Sequence, residues 1–234
     1  MSATSTPAFE SAVSSTQRPS DALWNRIGAG FGLATVGLFV ANIVIEGSKS
    51  SELDTDPAQS GDVIARVLVE NADAARLSAS VIALTVVCFV CFTGYLYRRV
   101  QIAEAGRSWI APVVLGSGLL AGGVLLTWSL LALASSLDFG ADPAVARTLA
   151  TIMWDSVLLL GAPLAAFVGA SAVAGLRYGA LPRPLCWLGL PVVALLIVQP
   201  VAFFGVVLFV VWLLAASAVL TARPQLPSRR TNER

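Results

Sequence analysis

The sequence predicts an all-α polytopic membrane bundle of six transmembrane helices with an external amphipathic helix. Three observations predict it. The apolar residues fall into blocks near the roughly 20 residues that cross a 30 Å hydrocarbon core. Of 234 residues, 56% are hydrophobic and 12% charged, against about 25% charged in ordinary soluble domains. The basic residues also cluster on alternate connections, as the positive-inside rule requires.

Residues 1–22 are rich in Ser, Thr and Ala and lack an apolar run, so they are expected to form a disordered cytosolic tail. No basic stretch feeds a short apolar run there, which argues against a signal peptide. The first span is expected at about 27–46, from Ile27 up to Glu46. The second, about 77–97, lies between Arg76 and the Arg98-Arg99 pair. The third covers about 109–134, and the fourth about 149–176, ahead of Arg177.

From Leu185 to Ala222 there is no charge, and Gln199-Pro200 stands in the middle. One helix of that length would measure about 57 Å, nearly twice the core. Proline disfavours helix at the residue before it. Two spans, about 184–199 and 201–222, joined by a turn at Gln199-Pro200, are therefore expected. Residues 223–234 form a basic tail. With the N-terminus inside, eleven of the fifteen basic residues face the cytosol; only Lys49, Arg66, Arg76 and Arg147 face out. Both termini are thus expected in the cytosol of a plasma membrane protein.

The longest loop, Glu46 to Arg76, is acidic. Asp56-Pro57-Ala58-Gln59 reads as a helix start, with an N-cap, a proline at the first helical position and a capping-box Gln. Ile64, Val67, Leu68, Asn71 and Ala75 then follow helical spacing, which predicts the external amphipathic helix. Asp142-Pro143 repeats the start signal before the fourth span.

Composition excludes several functions. A formal net charge of +1 gives no basic footprint for nucleic acid. The absence of histidine removes Ser-His hydrolysis, histidine-bound haem and most zinc sites. Cys88-Phe-Val-Cys91 has redox spacing but lies inside the second span, where thiolates are disfavoured; core packing is the simpler reading. Gly28-Ala-Gly30-Phe-Gly32 lacks the strand of a dinucleotide fingerprint. Intramembrane aspartyl catalysis needs two carboxylates sharing a proton, and only Asp155 lies in a span. No enzyme activity, cofactor or metal is expected.

The remaining signal is a band of polar groups at one depth. Helical rise places Glu46, Arg76 and Asp155 each about 30–33 Å from a basic inner end of its span, near the outer edge of the core. Gln199 falls at the same level, Asn42 lies one turn below Glu46, and Trp154 adjoins Asp155. A carboxylate so close to hydrocarbon needs a partner or water, and Arg76 is the nearest candidate for Asp155. The band reads either as ion pairing that fixes helix register or as an outward-facing site for a small solute or lipid. Glycines and alanines at fours in the fourth span, Gly161, Ala165 and Gly169, let another helix approach closely. That helix belongs to the same chain, to a second copy or to a membrane partner.

Asn25-Arg26-Ile27-Gly28 and Arg177-Tyr178-Gly179-Ala180-Leu181-Pro182-Arg183, with the helical external loop, resemble a family of bacterial, often actinobacterial, six-helix integral membrane proteins known only as a domain of unknown function. The resemblance spans roughly Leu23 to Ala222. It implies the six-span fold and a plasma membrane location, and no activity, cofactor or catalytic residue. Members often carry a histidine in the fourth span, where this chain has Trp154-Asp155.

Three functions remain after these exclusions. One is binding or transport of a small solute or lipid through the outer polar band. Another is a non-catalytic accessory or scaffold subunit of a membrane complex. The third and least supported is a membrane enzyme acting on lipid, against which stand the lack of histidine and the single intramembrane carboxylate.

Overall fold

A computed structural model describes residues 19–47, 60–106, 109–137, 142–198 and 202–222. All regular structure among them is helical, in seven helices: α1 Pro19–Gly47, α2 Gly61–Glu70, α3 Ala72–Glu104, α4 Ile110–Ser135, α5 Pro143–Tyr178, α6 Arg183–Ile197 and α7 Ala202–Ala222. The predicted tails at 1–18 and 223–234, the Asp56–Gln59 helix start and Gln199 lie outside the described residues. Residues 19–22, assigned to the disordered tail by sequence, belong to α1.

Among the described residues, five helices are long and apolar enough to cross a membrane: α1, α3, α4, the Leu159–Tyr178 part of α5, and α7. The chain is therefore a helical, multi-pass type of protein. The sixth apolar helix, α6, has 15 residues, about 22 Å of rise and short of the core thickness. By length alone the count is five rather than six.

The long helices form a closed ring in chain order. Each of α1, α3, α4, α5, α6 and α7 packs on the next, and α7 returns to α1. The bundle has a near end, where α1 starts and α7 finishes, and a far end, where α1 finishes and α7 starts. Contacts from α3 to α5 and from α5 to α7 cross the ring, so its centre is filled. There Phe89 of α3 meets Phe167 of α5 edge-on at 5.4 Å, and Phe209 and Trp212 of α7 stack at 6.3 Å. Trp212 is fully buried and its Nε1 donates to the Leu185 carbonyl of α6 at 3.1 Å.

Hydrocarbon outside is as apolar as leucine inside, so close packing rather than hydrophobic transfer must hold such helices together. The chain meets this with glycines at crossings. A Cβ on Gly28 would strike the Tyr95 ring, and one on Gly32 would strike Ser217 and Phe92. Gly118 takes Thr93 in the same way. The Thr93 and Ser217 hydroxyls are buried with no hydrogen-bond partner. Each lies against one of these glycines, whose Cα–H is the weak donor on offer. Gly161 abuts the Leu196 carbonyl of α6, Ala165 is buried, and Gly169 faces Val193. The stripe that sequence offered to a second copy or a partner is therefore already covered by α6.

α5 is the longest element at 36 residues. Asp142 caps it as the sequence predicts, its carboxylate accepting from the Ala144 and Val145 amides at 2.8 and 3.4 Å. It runs unbroken through Pro163. Its first turns project beyond the membrane-length segment and carry α2. Ile64 and Ala65 of α2 pack there on Ala146 and Ala150, while Asp62, Arg66 and Glu70 stay exposed. This is the amphipathic helix that sequence placed before the second span. Asn71 ends it, its side-chain amide donating to the Val67 carbonyl at 2.9 Å, and α3 begins at once.

Candidate functional site

The predicted polar band sits at the far end, on the last turns of α1 and the upper turns of α3 and α5. Its members have different surroundings. Asn42 is buried and accepts from the Ser78 hydroxyl at 2.8 Å, tying α1 to α3. Glu46 is exposed, one turn further along α1. Arg76 donates to the Ser136 carbonyl at 3.2 Å and to the Asp73 carboxylate at 3.5 Å.

Whether Arg76 meets Asp155, which sequence left open, is answered by Arg76's contacts with Asp73 and Ser136. Asp73 lies one turn away on Arg76's own helix and reaches it first. Asp155 occupies the exposed face of α5 instead. The Trp154 side chain, like Gln199, is outside the described residues. The structure thus brings Asn42 together with Ser78, and Arg76 with Asp73 and Ser136. Of the other described members, Asp155 and Glu46 are both exposed.

A cavity of about 30 Å³ lies in the same far half of the bundle, further along the helix axes. Five helices line it, among them Thr35 and Phe39 of α1, Phe89 of α3, Leu125 of α4, Leu160 of α5 and Val210 of α7. Its two polar side chains are spent within their own helices. Thr35 donates to the Phe31 carbonyl at 2.8 Å and Thr85 to the Val81 carbonyl at 2.7 Å. What remains is an apolar wall. At 1.5 Å per residue, Asp155 stands about 8 Å above Leu160, Glu46 about 10 Å above Phe39 and Arg76 about 14 Å above Thr85.

Sequence reasoning missed this cavity, because nothing in an apolar run marks which residues border a void. It also missed the roles of two near-end groups. Arg99, read as one of a cytosolic arginine cluster, is only 7% exposed. Its Nε donates to the Ala180 carbonyl at 2.9 Å and pins the α5–α6 turn. That turn needs pinning: Gly179 adopts a left-handed φ of 71°, and Pro182 opens α6 with no amide to give. Glu104, 2% exposed, accepts from the Ala111 amide at 3.1 Å and satisfies the first turn of α4. The signal for Arg99 was spacing: buried positions of α3 recur at 75, 78, 82, 85, 89, 92, 96 and 99, alternating three and four.

Cys88 and Cys186 are buried and Cys91 is exposed, all as free thiols. The Cys186 thiol points at the Pro182 carbonyl, 3.4 Å away, which is a packing role.

Fold and site together define a class: a helical multi-pass protein with a packed interior, a polar far end and an apolar cavity below it. Comparison with protein-family models, with curated proteins and with solved structures gives no match in any of the three.

Proposed function

We propose that this chain is a non-catalytic plasma membrane protein that binds or transports a small solute or lipid through its far end. The observation that carries the reading is vertical order. Glu46 and the Asn42–Ser78 bond lie along α1 above the Thr35 and Phe39 wall of an apolar cavity, and charged Arg76 and Asp155 stand at the same end of the bundle. A polar rim above an apolar pocket is the usual build of a small-molecule site.

In this reading α6 is the sixth span. It runs between α5 and α7 from the near end to the far end, and the bilayer thins locally to fit it. The far end and α2 face outward, and both termini are cytosolic. The arginine distribution supports that orientation. So do Trp24, Trp109 and Trp187, exposed by 65%, 73% and 63% on three different segments of the near end. The chain then stands beside the six-helix family that its Asn25–Gly28 and Arg177–Arg183 segments resemble.

Native mass spectrometry of the protein extracted with its own lipid tests the reading. A bound small molecule or lipid should be retained by the wild type. It should fall at least tenfold in Arg76→Gln or Asp155→Asn, with the fold intact. An empty wild type, or equal retention in all three, rejects it.

A second reading, an accessory subunit, draws on α1. Its Ala34, Gly37 and Ala41 are exposed, and nothing lies within 4 Å of a Cβ placed on Gly30 or Gly37. Such a face admits close approach of another helix. A copurifying protein lost in Gly37→Leu, with no retained ligand, would favour it.

A further inference from the structure

The cavity beneath the polar band has one chemistry and a narrow size, and both say something about its occupant. Water would need two to four polar partners there, and the lining offers two threonine hydroxyls whose hydrogens are already donated within their own helices, with no donor left over. A void of about 30 Å³ is about two water-sized spheres, enough for the last two or three carbons of a chain and too narrow for a ring system. An unfilled void forfeits the dispersion contacts of its lining. The nearest source of filling is the bilayer.

Lining residues Phe39, Val206 and Val210 are only half-buried. Exposed Val40 and Ile43 of α1 and Phe204 and Val207 of α7 continue the same apolar surface outward. The α1–α7 contact is where the first and last helices close the ring, and these apolar side chains lie on both sides of it.

We infer that this cavity receives the end of one hydrocarbon chain of a bilayer lipid, whose headgroup stands at the far-end polar band. Arg76, with its side chain 55% exposed, is the cation that an anionic headgroup would meet. Placement of the headgroup rests on the proposed function; placement of the chain rests on the cavity alone.

The test uses the full-length protein in nanodiscs of equal parts phosphatidylcholine and phosphatidylglycerol, the latter carrying a diazirine at the end of one chain. After photolysis, modified residues are mapped by peptide mass spectrometry. Adducts are expected on Phe39 and on the 206–213 segment of α7. They should fall roughly threefold in Val210→Phe, the change that corresponds to a void of this size. Adducts at lipid-facing Leu159 should stay constant.

If Val210→Phe does not fold, Leu125→Phe fills the same void from α4 and decides the matter. Absence of cavity adducts in the wild type overturns the inference, as does an adduct level that neither filling variant lowers. Lipid retention that depends on Arg76 without cavity adducts leaves the far-end site standing and removes the chain from the cavity. Cavity adducts untouched by Arg76→Gln keep the chain in place and reject the headgroup assignment.

Discussion

Arg98 and Arg99 are neighbours with the same chemistry and opposite surroundings. Arg98 is exposed, while Arg99 is buried against the α5–α6 turn. Removing a partner from a buried polar group costs about 1–3 kcal/mol, whereas an exposed side chain costs little. Arg99→Met should therefore lower the melting temperature of the detergent-solubilised protein by several degrees, and Arg98→Met should not. Equal effects would mean that the Ala180 contact contributes nothing. Gly32 makes a related point about size. Gly32→Val would drive a side chain into Ser217 and Phe92, both fully buried. Overpacking of that kind costs about 1–3 kcal/mol. The same substitution at Gly37, which faces open space, should be neutral in the same melting assay.

Among the elements, α2 is the one whose attachment is thinnest. Its buried side chains are few, and Ile64 and Ala65 meet the first turns of α5. Elements with little buried area open locally before the whole fold does. Ile64→Asp places a charge in that small cluster. It should accelerate hydrogen exchange across residues 61–70 at least tenfold and leave the exchange of α3 and α7 unchanged. Slow exchange in α2 after the substitution would show that the Ile64 contact does not hold it. The α5–α6 pair behaves differently, because Gly161 brings α5 onto the backbone of Leu196. Gly161→Leu should separate these helices and destabilise the bundle, with no change in oligomeric state, since α6 already occupies that face. A shift from dimer to monomer would return the stripe to an intermolecular role.

At the scale of the molecule, the ring has two distinct ends. The near end is closed by buried Arg99 and Glu104 and bordered by exposed tryptophans; the far end carries the polar band over the cavity. Orientation in the membrane is testable in whole cells. With Cys88, Cys91 and Cys186 replaced by alanine, Ser60→Cys at the start of α2 should react with an impermeant maleimide added outside. Reaction only after permeabilisation would invert the assignment and turn the far-end site toward the cytosol.

Much of this was legible in the residues. Long uncharged runs have one solution in a bilayer, because a helix alone satisfies its backbone internally. A helix start was written in Asp142-Pro143, and α4, α6 and α7 have bounds within two residues of the apolar blocks read from sequence, whereas α1 and α5 start earlier and α3 runs beyond its block at both ends. The polar band was legible as a depth, since helical rise fixes how far a residue lies along its own axis. Its pairing was not, because depth says nothing of facing. Leu84 and Phe89 sit in one apolar run, yet Leu84 is 52% exposed and Phe89 1%. When lipid and core are equally apolar, composition cannot tell one face of a helix from the other. Tertiary packing alone decided which residues form the aromatic centre, which border the cavity, and that Arg76 turns to Asp73 rather than Asp155.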